Sequence, residues 1–283
     1  MRADWLEQGR LRLMRNCGDP SAAQLAKAQQ KIKDLSTNAD IDGISFSGRA
    51  LHHLYYNTKF KRRGWLTYTV VKLAQQPTRP WQRTLHAMLA SLAYSPAQPG
   101  ALRVCSLGGG PGTDAASLSW INQHFWKHPV DFPLEVCLLD SEGSWKRHLA
   151  VLQTLLAPHQ LSFTKGDVTV SMDAVGNHSV RASLAGCGLY LFSYVCHETS
   201  RAASRGQHVF YKDLAAQLQP HAVLLFLDVM GHSQACLLAI AEVVMAACPY
   251  RVDMLAGTDD SRQQLRAELL VLKVRPTPIV VLA

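Results

Sequence analysis

The chain has 283 residues, which suits one α/β domain with an appended segment and is short for two full domains. Its composition of 48% hydrophobic and 18% charged residues excludes an intrinsically disordered chain and indicates a sizeable core. Lys and Arg (29) outnumber Asp and Glu (21), and the net charge of +8 favours an anionic partner such as RNA without specifying any chemistry.

Targeting and redox signals are sparse. The longest apolar run, 222–227, is far below the roughly 18 residues that a membrane-spanning helix needs, so we expect no membrane segment. The seven cysteines include no C-x-x-C pair, and no set of His, Cys, Asp and Glu has the spacing of metal ligands. These patterns predict an intracellular protein, cytoplasmic or nuclear, with reduced thiols and no metal. They leave the oligomeric state open.

The N-terminal third is predicted to be helical. Helical spacing of apolar residues occurs over 1–35 (with a break near Gly18), 51–56, 65–74 and 81–94. A basic turn is expected at 59–64, between the second and third of these stretches. Pro96, Pro99 and Gly100 then interrupt the chain. We therefore expect a helical extension over 1–100 and the main domain over 101–283.

Strand-like and helix-like runs alternate from residue 102 onward. The strand-like runs are 102–107, 134–139, 161–164, 188–192, 222–228, 250–255 and 268–274. The helix-like runs between them are 113–126, 143–156, 204–218 and 233–247. Several strands are almost continuously apolar, as expected when helices cover both faces of a sheet. The predicted fold class is α/β, a seven-stranded, mostly parallel, doubly wound sheet.

A glycine-rich turn joins the first strand to its helix. Closely spaced glycines let backbone N–H groups approach a ligand that side chains would block. The dinucleotide fingerprint G-x-G-x-x-G would require a sixth-position glycine, and counting from Gly108 that position is Thr113. The glycines stand instead at 108, 110 and 112. This G-x-G-x-G pattern resembles motif I of the class I S-adenosylmethionine (SAM)-dependent methyltransferases.

The resemblance extends over about 102–274 and implies the class I methyltransferase fold, SAM as cofactor and methyl transfer as the activity. It assigns the wrapping of SAM's methionine and ribose portions to Leu107, Gly108, Gly109, Gly110, Pro111 and Gly112. The family usually has an acid two positions before the first glycine, and this chain has Ser106 there. The usual contact of that acid near the methionine end of SAM is thus missing from the pattern. The plainer interpretation is a glycine-rich turn without a ligand.

Two further strand ends carry acids in the order of the family's cofactor site. The resemblance assigns Asp140, followed by Ser141, to the ribose hydroxyls, and a carboxylate suits that role because it has two acceptor oxygens. It assigns Gly166, Asp167 and Val168 to the adenine. A helix cap at Asp140 and an ordinary turn at Gly166 are the alternatives. Cofactors bind at the carboxyl ends of such strands, which favours the cofactor site.

The end of the fourth strand is where the family places groups that face the methyl acceptor. Ser193 is assigned to the cofactor there. Tyr194, His197 and Glu198 are the catalytic candidates, which could stack on the acceptor, take its proton or orient the base. His197 and Glu198 could instead belong to a helix start. The chain lacks the Asn/Asp-Pro-Pro-Tyr/Phe signature of amino-directed adenine methyltransferases. It also lacks the Pro-Cys nucleophile dipeptide of enzymes that attack C6 of a pyrimidine, which favours direct transfer without a covalent enzyme intermediate.

Residues 52–65 interleave cations with aromatic residues. Lys and Arg neutralise phosphates, and aromatic rings can stack on unpaired bases. The predicted RNA-facing residues are Tyr55, Tyr56, Lys59, Lys61, Arg62, Arg63 and Trp65. The alternative is a solvated basic loop whose aromatic residues belong to the core.

Three functional hypotheses follow. The first is direct methyl transfer from SAM to an RNA base, which combines the ordered motifs with the basic charge. The second keeps the reaction but has a small molecule or a protein side chain as acceptor. The third is a non-catalytic binding subunit built on a methyltransferase fold, which the absence of an acid at Ser106 favours.

Overall fold

Seven strands form a single sheet. The computed structural model describes residues 4–37, 47–94, 101–124, 133–196, 208–231 and 233–278. The strands are β1 (Leu102–Leu107), β2 (Leu134–Asp140), β3 (Gln160–Lys165), β4 (Leu189–Ser193), β5 (Val223–Val229), β6 (Tyr250–Ala256) and β7 (Ala267–Pro278). Each predicted strand is present, with bounds that differ from the prediction by at most a few residues.

The strand order is β3-β2-β1-β4-β5-β7-β6. The pairs β1–β2, β1–β4, β2–β3 and β4–β5 are parallel, and β7 lies antiparallel between β5 and β6. The order reverses between β1 and β4, which makes their carboxyl ends the topological switch point. In open α/β sheets ligands bind in the crevice at that point. The predicted α/β class and mostly parallel sheet are confirmed.

Helices cover both faces of the sheet. They are α1 (Asp4–Cys17), α2 (Ala22–Thr37), α3 (Arg49–Tyr55), α4 (Lys61–Gln75), α5 (Pro80–Ala90), α6 (Thr113–His124), α7 (Leu149–Leu156), α8 (Val180–Leu184), α9 (Val209–Ala215), α10 (Gln234–Ala247) and α11 (Asp259–Leu265). The prediction missed the two short helices α8 and α11. Across the described ranges, each helix is too short or too polar to span a bilayer.

Two hydrophobic cores lie on opposite faces of the sheet. Val104 and Leu191 belong to one core, with apolar side chains of α1, α4, α5, α6 and α7. Phe192 belongs to the other, with side chains of α8, α9 and α10. The N-terminal helices therefore share a core with the sheet. The predicted boundary between 1–100 and 101–283 stays a prediction, because residues 95–100 lie outside the described ranges.

The prediction of a basic turn at 59–64 is wrong. A π-helical segment, Tyr56–Phe60, joins α3 directly to α4, and Lys61 to Gly64 form the first turn of α4. Lys and Arg are good helix formers, so their clustering did not require a turn. Gly64 serves close packing between α4 and α6, because a Cβ there would lie 2.9 Å from Ser117 Oγ.

Candidate cofactor and acceptor site

The glycine turn lies at the switch point and packs against the end of β2. Gly109 donates from its main-chain N–H to the carbonyl of Leu139 at 3.2 Å. A Cβ on Gly110 would lie 2.2 Å from Trp145 Cδ1 and 2.7 Å from Asp140 Oδ2. Only glycine fits there, so the sequence of the turn brings its backbone next to the Asp140 carboxylate.

Asp140 joins the turn to the segment that follows β2. Its Oδ2 accepts from the Gly110 N–H at 3.0 Å, and its Oδ1 accepts from the Glu142 N–H at 2.9 Å. The second bond closes a local turn, while the side chain that caps the helical turn Gly143–His148 belongs to Glu142, so the alternative of a helix cap at Asp140 is wrong. Each carboxylate oxygen accepts more than one hydrogen bond, so these two bonds do not exclude ligand hydroxyls. Ser141, the next residue, is exposed.

The end of β3 lies beside the end of β2. Gly166 donates from its main-chain N–H to the Asp140 carbonyl at 3.0 Å. The half-buried Asp167 accepts at Oδ1 from the N–H and hydroxyl of Thr169, at 2.8 and 2.7 Å. Val168 packs against the second core. The structure thus brings the predicted ribose and adenine residues to one edge of the sheet, while Asp167 also stabilises its own turn.

Asp114, in the first turn of α6, is a site residue that sequence reasoning missed. Its Oδ1 accepts from the hydroxyls of Thr67 and Ser193, at 2.8 and 2.9 Å. Its Oδ2 accepts from the hydroxyl of Ser106 at 3.0 Å. Asp114 is 2% exposed, and burial raises the pKa of its carboxyl while the three hydroxyl donors oppose that rise. An acid in the first turn of a helix is usually explained by its interaction with the helix dipole, so the sequence alone does not mark Asp114 as part of a site.

The backbone at Tyr194 is strained. This residue follows β4 with a φ of 62°, a left-handed conformation that is costly for a residue with a Cβ and is common at functional sites. The Arg63 guanidinium lies 4.3 Å from the centre of its ring. Burial raises the pKa of the Tyr194 hydroxyl. The other catalytic candidates, His197 and Glu198, lie outside the described residues.

Two of the residues predicted to stack on RNA bases are instead in the core. Tyr55 is 7% exposed and Tyr56 is fully buried, so protein atoms already cover both rings and the stacking prediction is wrong for them. The π-helical segment adds a residue to the turn and directs Tyr56 inward, against Trp145 and His148. The alternative interpretation, in which these aromatic residues are core, holds for this pair.

The cations of the same stretch divide into two groups. Arg63 is half-buried, donates to the Tyr55 hydroxyl and lies 5.1 Å from the centre of the Tyr55 ring. Lys59 is also half-buried, and burial, then the charges of Arg63 and Arg62, lower the pKa of its amino group. The members that remain on the surface are Lys61, Arg62 and Trp65.

A histidine–tryptophan cluster attaches α3 to the segment after Asp140, and no sequence pattern predicts it. The His52 ring stacks on Trp145 with centroids 3.8 Å apart. His52 Nδ1 and His148 Nε2 share a hydrogen bond of 2.9 Å. Burial, then the charges of His52 and Arg147, lower the pKa of His148 to about 3. Both histidines are therefore built into the packing behind the glycine turn.

The residues at the switch point fit a nucleoside cofactor. Within the described ranges, the Thr113 hydroxyl at the start of α6 is buried without a hydrogen-bond partner. It directly follows the glycine turn, where a helix N-terminus also offers N–H donors. Asp140, across the turn, supplies carboxylate acceptors. Among the described residues, no group of three or more His, Cys, Asp or Glu side chains is placed to hold a metal ion.

A glycine turn after β1, an acid at the end of β2, an acid after β3 and one antiparallel strand next to β5 combine in one sheet. This is the seven-stranded arrangement that the sequence resemblance to the class I methyltransferases implied. A proposed class I SAM-dependent methyltransferase from Listeria monocytogenes is similar at 11% identity and a TM-score of 0.47, covering 99% of this chain and 91% of that one. No protein-family model and no curated protein matches the sequence.

Two other solved structures are similar to this chain. An rRNA methylase from Streptococcus thermophilus is 14% identical with a TM-score of 0.42, and the match covers 70% of this chain and 98% of that one. An O-methyltransferase family protein from Burkholderia thailandensis is 13% identical with a TM-score of 0.43, and the match covers 90% and 72%.

Proposed function

We propose that the protein is a SAM-dependent methyltransferase that transfers the methyl group directly to its acceptor. The observation that carries this proposal is the contact between Gly110 N–H and Asp140 Oδ2, 3.0 Å across the switch point. It places the acceptor oxygens of a carboxylate beside the glycine turn, where the missing side chain of Gly110 allows this close approach. The neighbouring strand end adds Gly166 and Asp167 at the same edge.

The proposed cofactor roles follow the strand ends. Asp140 accepts hydrogen bonds from the two ribose hydroxyls, and Ser141 borders that contact. Asp167 accepts from the adenine amino group, with the backbone of Gly166 and Val168 along the ring. The glycine turn from Leu107 to Gly112, with Ser193 opposite, lies along the methionine end. When bound, SAM would supply a methyl group on a cationic sulfur, and the sulfur would leave as a neutral thioether as the acceptor's nucleophilic atom bonds to the methyl carbon.

The proposed acceptor side is formed by Tyr194 and α4. Because burial raises the pKa of its hydroxyl, Tyr194 stays protonated at neutral pH and donates a hydrogen bond or stacks on the acceptor. A base is then required from another group, and His197 and Glu198 are the candidates. Positioning of the nucleophile along the axis of the methyl transfer supplies most of the remaining effect.

An RNA base is the proposed acceptor. The net charge of +8 supports this acceptor. So do Lys61, Arg62 and Trp65, which are exposed on α4. They lie within one helical turn of Arg63, whose guanidinium lies over the Tyr194 ring. A small molecule or a protein side chain is the second candidate. The third is a non-catalytic binding subunit, which the serine at position 106 favours.

One experiment separates these candidates. The protein is incubated with methyl-labelled SAM and with RNA, protein and small-molecule fractions of a cell extract. We expect label in RNA with wild type and with Asp173→Asn, an exposed control, and less label with Asp140→Ala at a limiting SAM concentration. Label in another fraction supports the second candidate. SAM binding without any label supports the non-catalytic binding subunit. Absence of SAM binding overturns the proposal of a SAM-dependent methyltransferase for every acceptor.

A further inference from the structure

Asp114 collects hydroxyl donors from three elements around the switch point. Thr67 belongs to α4, Ser106 is the second-last residue of β1, and Ser193 is the last residue of β4. The carboxylate is 2% exposed, so it does not itself reach a ligand. The three hydroxyl donors favour the ionised form of this carboxyl and so oppose the burial that raises its pKa.

The direction of these hydrogen bonds decides what the serines can offer to a ligand. A serine hydroxyl has one proton and two acceptor lone pairs. Because each proton points at Asp114, the outward side of each hydroxyl presents only lone pairs. Ser193 is half-buried, whereas Ser106 and Thr67 are buried, so Ser193 is the member that a ligand can contact.

The charge of the site fits the same picture. Ser106 stands two residues before Gly108 and carries no charge, while Asp114 lies directly behind it with the Ser106 hydroxyl donating at 3.0 Å. When ionised, the Asp114 carboxylate has its negative charge one hydrogen bond behind the strand ends, and the charge of Arg63 favours that ionised form. Charge-assisted hydrogen bonds of this kind polarise the intervening hydroxyl and strengthen its acceptor character.

We propose that Asp114, acting through the Ser193 hydroxyl, recognises the positively charged methionine end of SAM. Asp114 is then a positioning residue, and Ser193 makes the contact. The inference rests on the proposed function and adds to it the group that compensates for the missing acid at position 106. An alternative role confined to stability would use Asp114 only to attach α4 to α6 through Thr67.

Calorimetry with two ligands distinguishes recognition from stability. SAM carries the charged methionine end, whereas 5′-methylthioadenosine keeps the adenosine and lacks any positive charge. We expect Asp114→Asn and Ser193→Ala to weaken SAM binding about 10- to 100-fold, as for loss of a hydrogen bond to a charged group. Binding of 5′-methylthioadenosine should change less than about threefold in the same variants.

Thr67→Val is the matched control, since it removes a donor to Asp114 but leaves the Asp114 carboxyl and its hydrogen bond from Ser193 in place. We expect it to lower Tm and to leave the preference for SAM unchanged. Equal weakening of both ligands in Asp114→Asn, or no change in SAM affinity, overturns the inference. If Asp114→Asn does not fold, Ser193→Ala alone decides it. Wild type that binds neither ligand overturns the proposed function and the inference together.

Discussion

The main-chain N–H of Gly110 donates to Oδ2 of Asp140 across 3.0 Å. This bond connects the turn after β1 to the end of β2, so the two motifs that define the proposed cofactor site are held in one arrangement. A Cβ at position 110 would lie 2.2 Å from Trp145 Cδ1, which shows how little room the arrangement leaves.

Gly110→Ala should therefore destabilise the protein. The added methyl group must displace Trp145 or the Asp140 carboxylate, and overpacking of this kind costs about 1–3 kcal/mol. Urea unfolding measures the loss. Gly176→Ala is the matched control, because a Cβ at that exposed glycine meets nothing within 4 Å. Equal stability of the two variants would contradict the packing described for the turn.

The strands could be predicted because their cause is local. Buried parallel strands favour nearly continuous apolar runs, which β4 and β5 have, whereas the edge strand β3 alternates apolar and polar residues. Both patterns are local, so the order of elements was readable from the sequence. The short helices α8 and α11 were missed because neither is long enough to show helical periodicity. The π-helical segment was missed because its cause is tertiary, the burial of Tyr56 and Phe60.

The buried histidine pair predicts a pH dependence of stability. The folded-state pKa of His148 is lowered from 6.5 to about 3, so the folded protein favours the neutral ring. Its contribution is fully present above about pH 6.5 and is lost as pH falls toward 3. At about 1.4 kcal/mol per pKa unit, the loss is at most about 5 kcal/mol.

Unfolding free energies measured from pH 7 to pH 4 test this dependence. His148→Gln should show a shallower fall than wild type, since the group that resists protonation is gone. His178→Gln, at an exposed histidine, should keep the wild-type slope. Parallel curves for wild type and His148→Gln would be the contrary result.

Arg63 and Arg62 are adjacent in sequence but differ in environment. The Arg63 guanidinium lies over the rings of Tyr55 and Tyr194 and donates to the Tyr55 hydroxyl. A lysine lacks the planar group, so Arg63→Lys should cost about 1 kcal/mol of stability. Arg62→Lys, at an exposed position, should change it by less than about 0.5 kcal/mol. Thermal and urea unfolding of both variants measure the difference.

The RNA proposal predicts a salt dependence that involves the exposed face of α4. Binding of total cellular RNA should weaken steeply as salt rises. Lys61→Gln and Arg62→Gln should each weaken binding at low salt and reduce the salt slope by about one unit or less. Lys212→Gln on α9, also exposed, is the control and should bind as wild type does. A salt-independent interaction would favour a small or protein acceptor.

The site itself was only partly readable from the sequence. Asp140 ends β2 and Gly166 directly follows β3, so topology alone brings them to one edge. The Asp114 network joins residues 67, 106, 114 and 193, and no local pattern links positions so far apart. Tyr55 and Tyr56 read as stacking platforms because their neighbours are cations, and only packing shows that both are buried.

The affinity of the protein for SAM tests the central claim most directly. Calorimetric titration should detect binding to wild type and to Asp173→Asn. With Asp140→Ala we expect binding weakened by about 10- to 100-fold, because the acceptor for the ribose hydroxyls is removed. Absence of SAM binding to wild type, or undiminished binding to Asp140→Ala, would contradict the cofactor site described for the switch point.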